Sequence, residues 1–428
     1  VIFAAITILP ARALADGAFP DEFSIFVPQD RPHEIVVPTN FGLVITDDDA
    51  MHWNWVCEND IASLPFSYFM GAPPGDMMYA LNLDGAWPSP DFCKWSESTL
   101  AMDAKQVNDI FPDPNDSKHV FALAQPITTS TATDYLLESK DGGYAFPNVL
   151  FTAPPGARLE SVELSKSDPH RIYMTMTNLR PQHRYVLTST DGATHWSTID
   201  VSDIVRQPGM PTATPHLPLI AQVDPMNADV VYFRIVRNSA EESDSLGIST
   251  DGGKTLKILY TLPQMGKMTA FLLLPDGTII LGTRGGGYIS TDHGTTFKPW
   301  DNSPQIRGLA YRAGCIYAAA DNFADGYAAG MTCDVGMTWK PLLRFDLIGP
   351  PYACALVQNA CGPLYPGLEV MFGIDGGVSS GTSDGGIMMV TKKGCSCGAV
   401  ELRDAGPPIA VAFLVGVLVV LRKKRACS

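Results

Sequence analysis

At 428 residues, with 46% hydrophobic and 18% charged side chains, the chain is too large and too apolar to stay disordered, and it must bury a sizeable core. Thirty Lys and Arg stand against 45 Asp and Glu, a net charge of −15. Counterion release needs clustered cations, so this balance excludes nucleic acid as an expected partner.

In chain order, the first signal is an apolar run from Val1 to Leu9, interrupted only by Thr7. Ala13-Leu14-Ala15 then supplies the small-x-small pattern cleaved on export, so residues 1–15 read as a signal peptide. An exported chain meets an oxidising compartment, and its cysteines are disulfide candidates before they are metal ligands.

Residues 16–345 are dominated by one repeated turn. Its clearest copies begin at Ser249, Ser290 and Thr332 and follow Ser/Thr-x-Asp-x-Gly-x-Thr, closed by Leu256, Phe297 and Trp339. Weaker copies begin at Thr46, Ser139 and Ser189. Those around Asp48 and Asp191 share Ala50 and Ala193 in place of Gly, and His52 and His195 in place of Thr. A degenerate seventh copy surrounds Asp91. The aspartates at 48, 91, 141, 191, 251, 292 and 334 are 41 to 60 residues apart, the period of a four-stranded propeller blade.

The turn has a physical logic. The hydroxyl and the carboxylate (Asp48, Asp141, Asp191, Asp251, Asp292, Asp334) bond backbone N–H groups within the loop, Gly supplies positive φ, and the aromatic residue pins the loop to its sheet. The repeat resembles the Asp-box, or BNR, repeat of sialidases, sortilin-type receptors, xyloglucanases and the photosystem II assembly propeller. The resemblance implies an all-β fold, a seven-bladed β-propeller of four-stranded antiparallel blades, to which the chain's own C-terminal part adds a short apolar helix. In those families the repeat is structural, so it implies a fold and not a chemistry.

If the aspartate turns join third to fourth strands on one face, the second-to-third loops and blade-to-blade connections occupy the other, where propellers usually bind. Candidate binding residues on that face are Asn40, Asn178, Arg180, Arg184, Arg237, Asn238, Arg284 and Asn322. Such a polar rim predicts an extracellular glycan or protein ligand. Asn is also ordinary turn chemistry.

A glycoside hydrolase is the alternative function. A sialidase-like site needs three convergent arginines, a Tyr nucleophile beside a Glu and an acidic Asp, whereas a xyloglucanase-like site needs two facing carboxylates. Tyr232-Phe233-Arg234-Ile235-Val236 resembles the sialidase Phe-Arg-Ile-Pro motif, but it follows four aspartate turns where that motif precedes the first, and it lacks the final Pro. Strand alternation accounts equally for an Arg among apolar neighbours. Three arginines or a facing carboxylate pair in the central depression would favour the enzyme. No residue is singled out as catalytic.

Outside the C-terminal tail, six cysteines lead to the pairs Cys57–Cys93, Cys315–Cys333 and Cys354–Cys361. The second pair flanks a hairpin, and the third requires a turn between its members because a helix would hold them about 10 Å apart. No zinc-type Cys/His spacing is present, so neither metal nor cofactor is expected.

Residues 346–372 read as a closing segment. Within it Tyr365 to Phe372 forms a short helix, with Pro366 near its start, that closes the fold. Residues 373–394 are a Gly/Ser-rich tether. Residues 395–428 combine Cys395-Ser396-Cys397, an apolar stretch at 405–421 and Arg422-Lys423-Lys424-Arg425. This order resembles the MYXO-CTERM sorting domain of myxobacterial exported proteins. The resemblance implies processing and anchoring at Cys395 or Cys397, contact with the processing machinery and the membrane, and display at the cell surface or outer membrane.

Overall fold

The computed structural model describes residues 23–374 apart from 63–64, 66, 75–76, 127–132, 207–212 and 238–241. The signal-peptide, tether and sorting-domain expectations, including Cys395, Cys397 and the apolar stretch at 405–421, fall outside the described residues, as does Asn238.

The described chain is a seven-bladed β-propeller of antiparallel blades. Blade 4 shows the pattern, with strands Ala157–Leu164, Ile172–Leu179, Gln182–Ser189 and Ser197–Asp200 paired in sequence order. Second strands are packed on both faces by neighbouring blades, so hydrophobic alternation disappears from them. Val120–Gln125 and Ile279–Thr283 are buried at every position. Fourth strands lie at the rim, and Lys257–Thr261 contains no buried residue.

The aspartate turns of blades 1 and 3 to 7 lead from a third strand to a fourth, and the Asp91 turn follows the third strand of blade 2. In blade 6, Ser290 Oγ donates to Asp292 Oδ1 at 2.7 Å, Gly294 N donates to Ser290 Oγ at 2.8 Å, and Thr296 donates through N (2.9 Å) and Oγ1 (2.6 Å) to the same carboxylate. His52 and His195 replace that Thr hydroxyl with ring Nδ1, 2.6 Å from Asp48 and Asp191. Around Asp91 the Ser89 contact lengthens to 3.4 Å. Gly336 (φ +91°) is fixed by more than its φ, because a Cβ there would meet Trp300 Nε1 at 2.4 Å.

First strands of successive blades stitch the centre together. Asp109 Oδ2 accepts Val162 N at 2.9 Å, Ser161 Oγ accepts Ile220 N at 2.9 Å, and Glu163 Oε1 accepts Val223 N at 2.7 Å. Blades 3 to 7 all shift register at one place between first and second strands, skipping Asn108, Glu160, Ala221, Thr269 and Arg307.

Blade 1 takes its first strand from the N-terminal segment, where Phe26 bridges Val36. After blade 7, Ile348–Pro351 pairs in parallel with Trp53–Cys57 on the outer edge of blade 1. Helices α1 (Ala355–Cys361) and α2 (Tyr365–Phe372, Pro in its first turn) then pack on the same blade. Phe372 sits 4.9 Å from Phe345 and 5.3 Å from Phe41 between ring centroids.

Three disulfides are present among the described residues, and two of them differ from the expected pairing. Cys315 is bonded to Cys333, but Cys57 is bonded to Cys361 and Cys93 to Cys354. Cys57 ends the fourth strand of blade 1, while Cys93 lies in the aspartate turn of blade 2, so they belong to opposite faces. Cys354 and Cys361 bracket α1, whose rise separates them beyond bridging distance. The bonds therefore fasten the closing segment to blades 1 and 2.

Candidate functional site

On the face opposite the aspartate turns, a central depression of about 620 Å³ is lined by Arg234, Lys267, Arg284 and Arg307 together with Phe23, Ser24, Pro38, Ser67, Tyr68, Phe69, Met268 and Thr269. Its size is that of a small-molecule site, which runs to roughly 300–1,000 Å³. Four cations from blades 5, 6 and 7 thus form one wall in a chain of net charge −15. Among the described residues lining it there is no Asp or Glu.

The register shifts place part of this wall. Arg307 and Thr269 are the residues skipped in blades 7 and 6, and a bulge re-aims a side chain that regular pleating would direct elsewhere. Arg284 stands in the tight turn between Ile279–Thr283 and Gly286–Ser290. Arg234 lies within Val231–Val236 and Lys267 just precedes Met268–Leu273.

Carboxylates hold these cations from behind. Asp244 is fully buried; Arg234 donates to its Oδ2 through Nε at 3.1 Å and Nη2 at 2.9 Å, and Lys267 Nζ lies 3.5 Å from Oδ1. The same carboxylate accepts Met268 N and Arg237 N, both at 3.1 Å, which joins blade 5 to the first strand of blade 6. Lys267 also donates to the Arg237 carbonyl at 2.6 Å. Arg307 Nη2 donates to Asp321 Oδ2 at 2.6 Å. Arg234 and Lys267 keep about a third of their side chains exposed, 33% and 37%.

Tyr68, on the aromatic side, is buried; its hydroxyl has no hydrogen-bond partner among the described residues, and burial first, then the Glu58 charge, raises its pKa. Deeper in the centre, burial pushes the Asp109 carboxyl up to about 7 and that of Glu163 up to about 8, the latter raised further by Asp109. Both accept hydrogen bonds from a neighbouring blade and line no part of the depression among the described residues.

Of the expected site residues that are described, only Arg284 lines the depression. Arg237 stands beside it, through the Lys267 contact. Asn178 and Arg180 occupy the blade 4 turn, where Asn178 Oδ1 accepts Arg180 N at 3.3 Å. Arg184 is buried, its Nε donating to His216 O at 3.2 Å. Asn40 is in the blade 1 turn, and Asn322 accepts Phe345 N at 3.0 Å beside a separate cavity that includes Phe372. Sequence reasoning flagged Arg234 only as a motif fragment and missed Lys267 and Arg307. No local pattern marks either one: Arg307 is level with Thr269, and Lys267 precedes its strand, so the two cations occupy different positions of their blades.

No family profile and no curated protein matches this sequence. Solved structures do. An ancestral GH74 enzyme is 13% identical with a TM-score of 0.48, covering 74% of this chain and 44% of its own. The extracellular domain of a proposed one component system from B. thetaiotaomicron is 12% identical with a TM-score of 0.48, covering 74% and 38%. YCF48 from Cyanidioschyzon merolae is 12% identical with a TM-score of 0.45, covering 70% and 92%. The chain therefore spans less than half the length of the first two, and the likeness is one of fold.

Proposed function

We propose that this is an exported, surface-anchored propeller of the Asp-box type that acts as a binding module, taking an extracellular glycan or protein through the face opposite its aspartate turns. The convergence of Arg234, Lys267, Arg284 and Arg307 on one central depression carries this reading, because clustered cations, three of them held by the buried Asp244 and the partly exposed Asp321, form a preorganised recognition surface. Three disulfides support an oxidising compartment. The MYXO-CTERM-like tail supports anchoring, with Cys395 or Cys397 as the processed residue. Screening the full chain against glycan and peptide arrays tests binding; retention of no ligand on either array would refute it.

The arginine trio also favours a second reading, a sialidase-like glycoside hydrolase. Against it, among the described residues no carboxylate lines the depression to act as general acid, and none of them bonds the buried Tyr68 hydroxyl. Release of fluorophore from aryl glycosides, abolished by Arg284→Ala, would decide for the enzyme.

A further inference from the structure

We infer that the depression recognises the carboxylate of an acidic sugar, a hexuronate unit of a glycan. This rests on the binding-module reading and names the ligand class for the same site.

The two walls differ in chemistry. One carries three guanidinium groups and an ammonium; the other carries Phe23, Pro38, Tyr68 and Phe69. A guanidinium presents parallel N–H donors in one plane, which match the two oxygens of a carboxylate, and charge-assisted bonds of this kind are about twice as strong as neutral ones. The aromatic and proline wall offers apolar surface to the C–H face of a pyranose ring. A ligand satisfying both walls has an anionic head on a compact body with one apolar face, which describes a uronic acid.

Preorganisation strengthens the argument. Arg234 and Lys267 are tied to Asp244, and Arg307 to Asp321, so their long side chains are ordered before a ligand arrives. The ordering cost, normally about 0.5–1.5 kcal/mol for each immobilised flexible side chain, is largely met by folding. Size points the same way. About 620 Å³ accommodates a short saccharide, whereas a protein partner would ordinarily cover about 800 Å² of surface on each side. The overall charge of −15 repels acidic ligands elsewhere on the surface and so confines their capture to this wall.

The test is calorimetric titration of the full chain with digalacturonate, a neutral disaccharide of similar size, a sulfated disaccharide and tetraglutamate. Digalacturonate is expected to bind best, with affinity falling as salt is raised. Arg284 is exposed, so Arg284→Ala should keep the parent melting temperature and weaken binding at least tenfold, and Arg284→Glu should weaken it further. Equal binding of the neutral disaccharide would overturn the inference while leaving the binding module intact. Preferential binding of the sulfated sugar or of tetraglutamate would replace the uronate with that ligand. Failure of digalacturonate alongside a positive array overturns only the inference; failure of both removes the binding reading as well.

Discussion

Arg234 grips Asp244 with two nitrogens, at 3.1 and 2.9 Å, and that one pair belongs both to the candidate site and to the joint between blades 5 and 6. Asp244 also accepts backbone N–H groups from Arg237 and Met268. Asp244→Ala would strand these donors beside two cations, and breaking a buried ion pair from one side costs about 3–5 kcal/mol. Urea denaturation should show a loss of that order, with Asp244→Asn milder because one oxygen acceptor remains. A loss below about 1 kcal/mol for the Ala variant would mean that the pair holds little of the joint together.

The Cys57–Cys361 and Cys93–Cys354 bonds close spans of 304 and 261 residues. Removing a native disulfide typically costs about 2–5 kcal/mol, and long spans lie toward the upper end in the chain-entropy account. Cys361→Ser and Cys354→Ser should each lower the melting temperature, and a reducing agent should lower that of the parent but add little to the double variant. Peptide mapping that recovered Cys57 joined to Cys93 would contradict the pairing.

Ala193 and Ala50 adopt φ of 71° and 66° where the turns of Asp141, Asp251, Asp292 and Asp334 place Gly. An L-residue in this region carries roughly 1–2 kcal/mol of strain that Gly avoids. Ala193→Gly should therefore stabilise the protein by about 1 kcal/mol. Gly336→Ala should do the reverse, and by more, because its Cβ would also collide with Trp300. Thermal melts of the two variants moving in the same direction would refute this account.

Two groups of carboxylates give stability a maximum in pH. Hydrogen bonds from the Thr296 hydroxyl and N–H, then from Ser290, hold Asp292 down at about 2, and Asp48, Asp191, Asp251 and Asp334 are likewise lowered to about 2. These depressed groups stabilise fully above the ordinary carboxylate range near 4, and the benefit is lost as pH falls from there through about 2. Glu163 and Asp109 act in the opposite sense. Their pKa values are raised by folding to about 8 and about 7, so stability declines as pH rises from about 4 to those values. Glu163→Gln retains an acceptor for Val223 N and should flatten the decline between about pH 5 and pH 8. An unchanged slope across that interval would show that Glu163 does not titrate there.

Turn chemistry and strand period are local properties, and they made much of the fold legible. A hydroxyl two residues before an Asp, and a Gly or Ala two residues after it, build the same loop wherever they occur, because every bond involved spans at most four residues. The helix at Tyr365–Phe372 was legible for the same reason, with Pro366 at its start. Arg284 was accessible because a tight turn displays its residues whatever lies around it.

What the sequence by itself determined was thus the blade: its period, its aspartate turn and the face left over for loops. Tertiary structure alone decided which distant residues meet. Cys57 finds Cys361 because the closing segment returns to blade 1, and the expected partner Cys93 is fixed on the other face. The cationic wall is equally non-local. Arg234, Lys267, Arg284 and Arg307 come from three blades, and the register shift that skips Arg307 is a packing outcome of the closed ring with no marker in the local pattern.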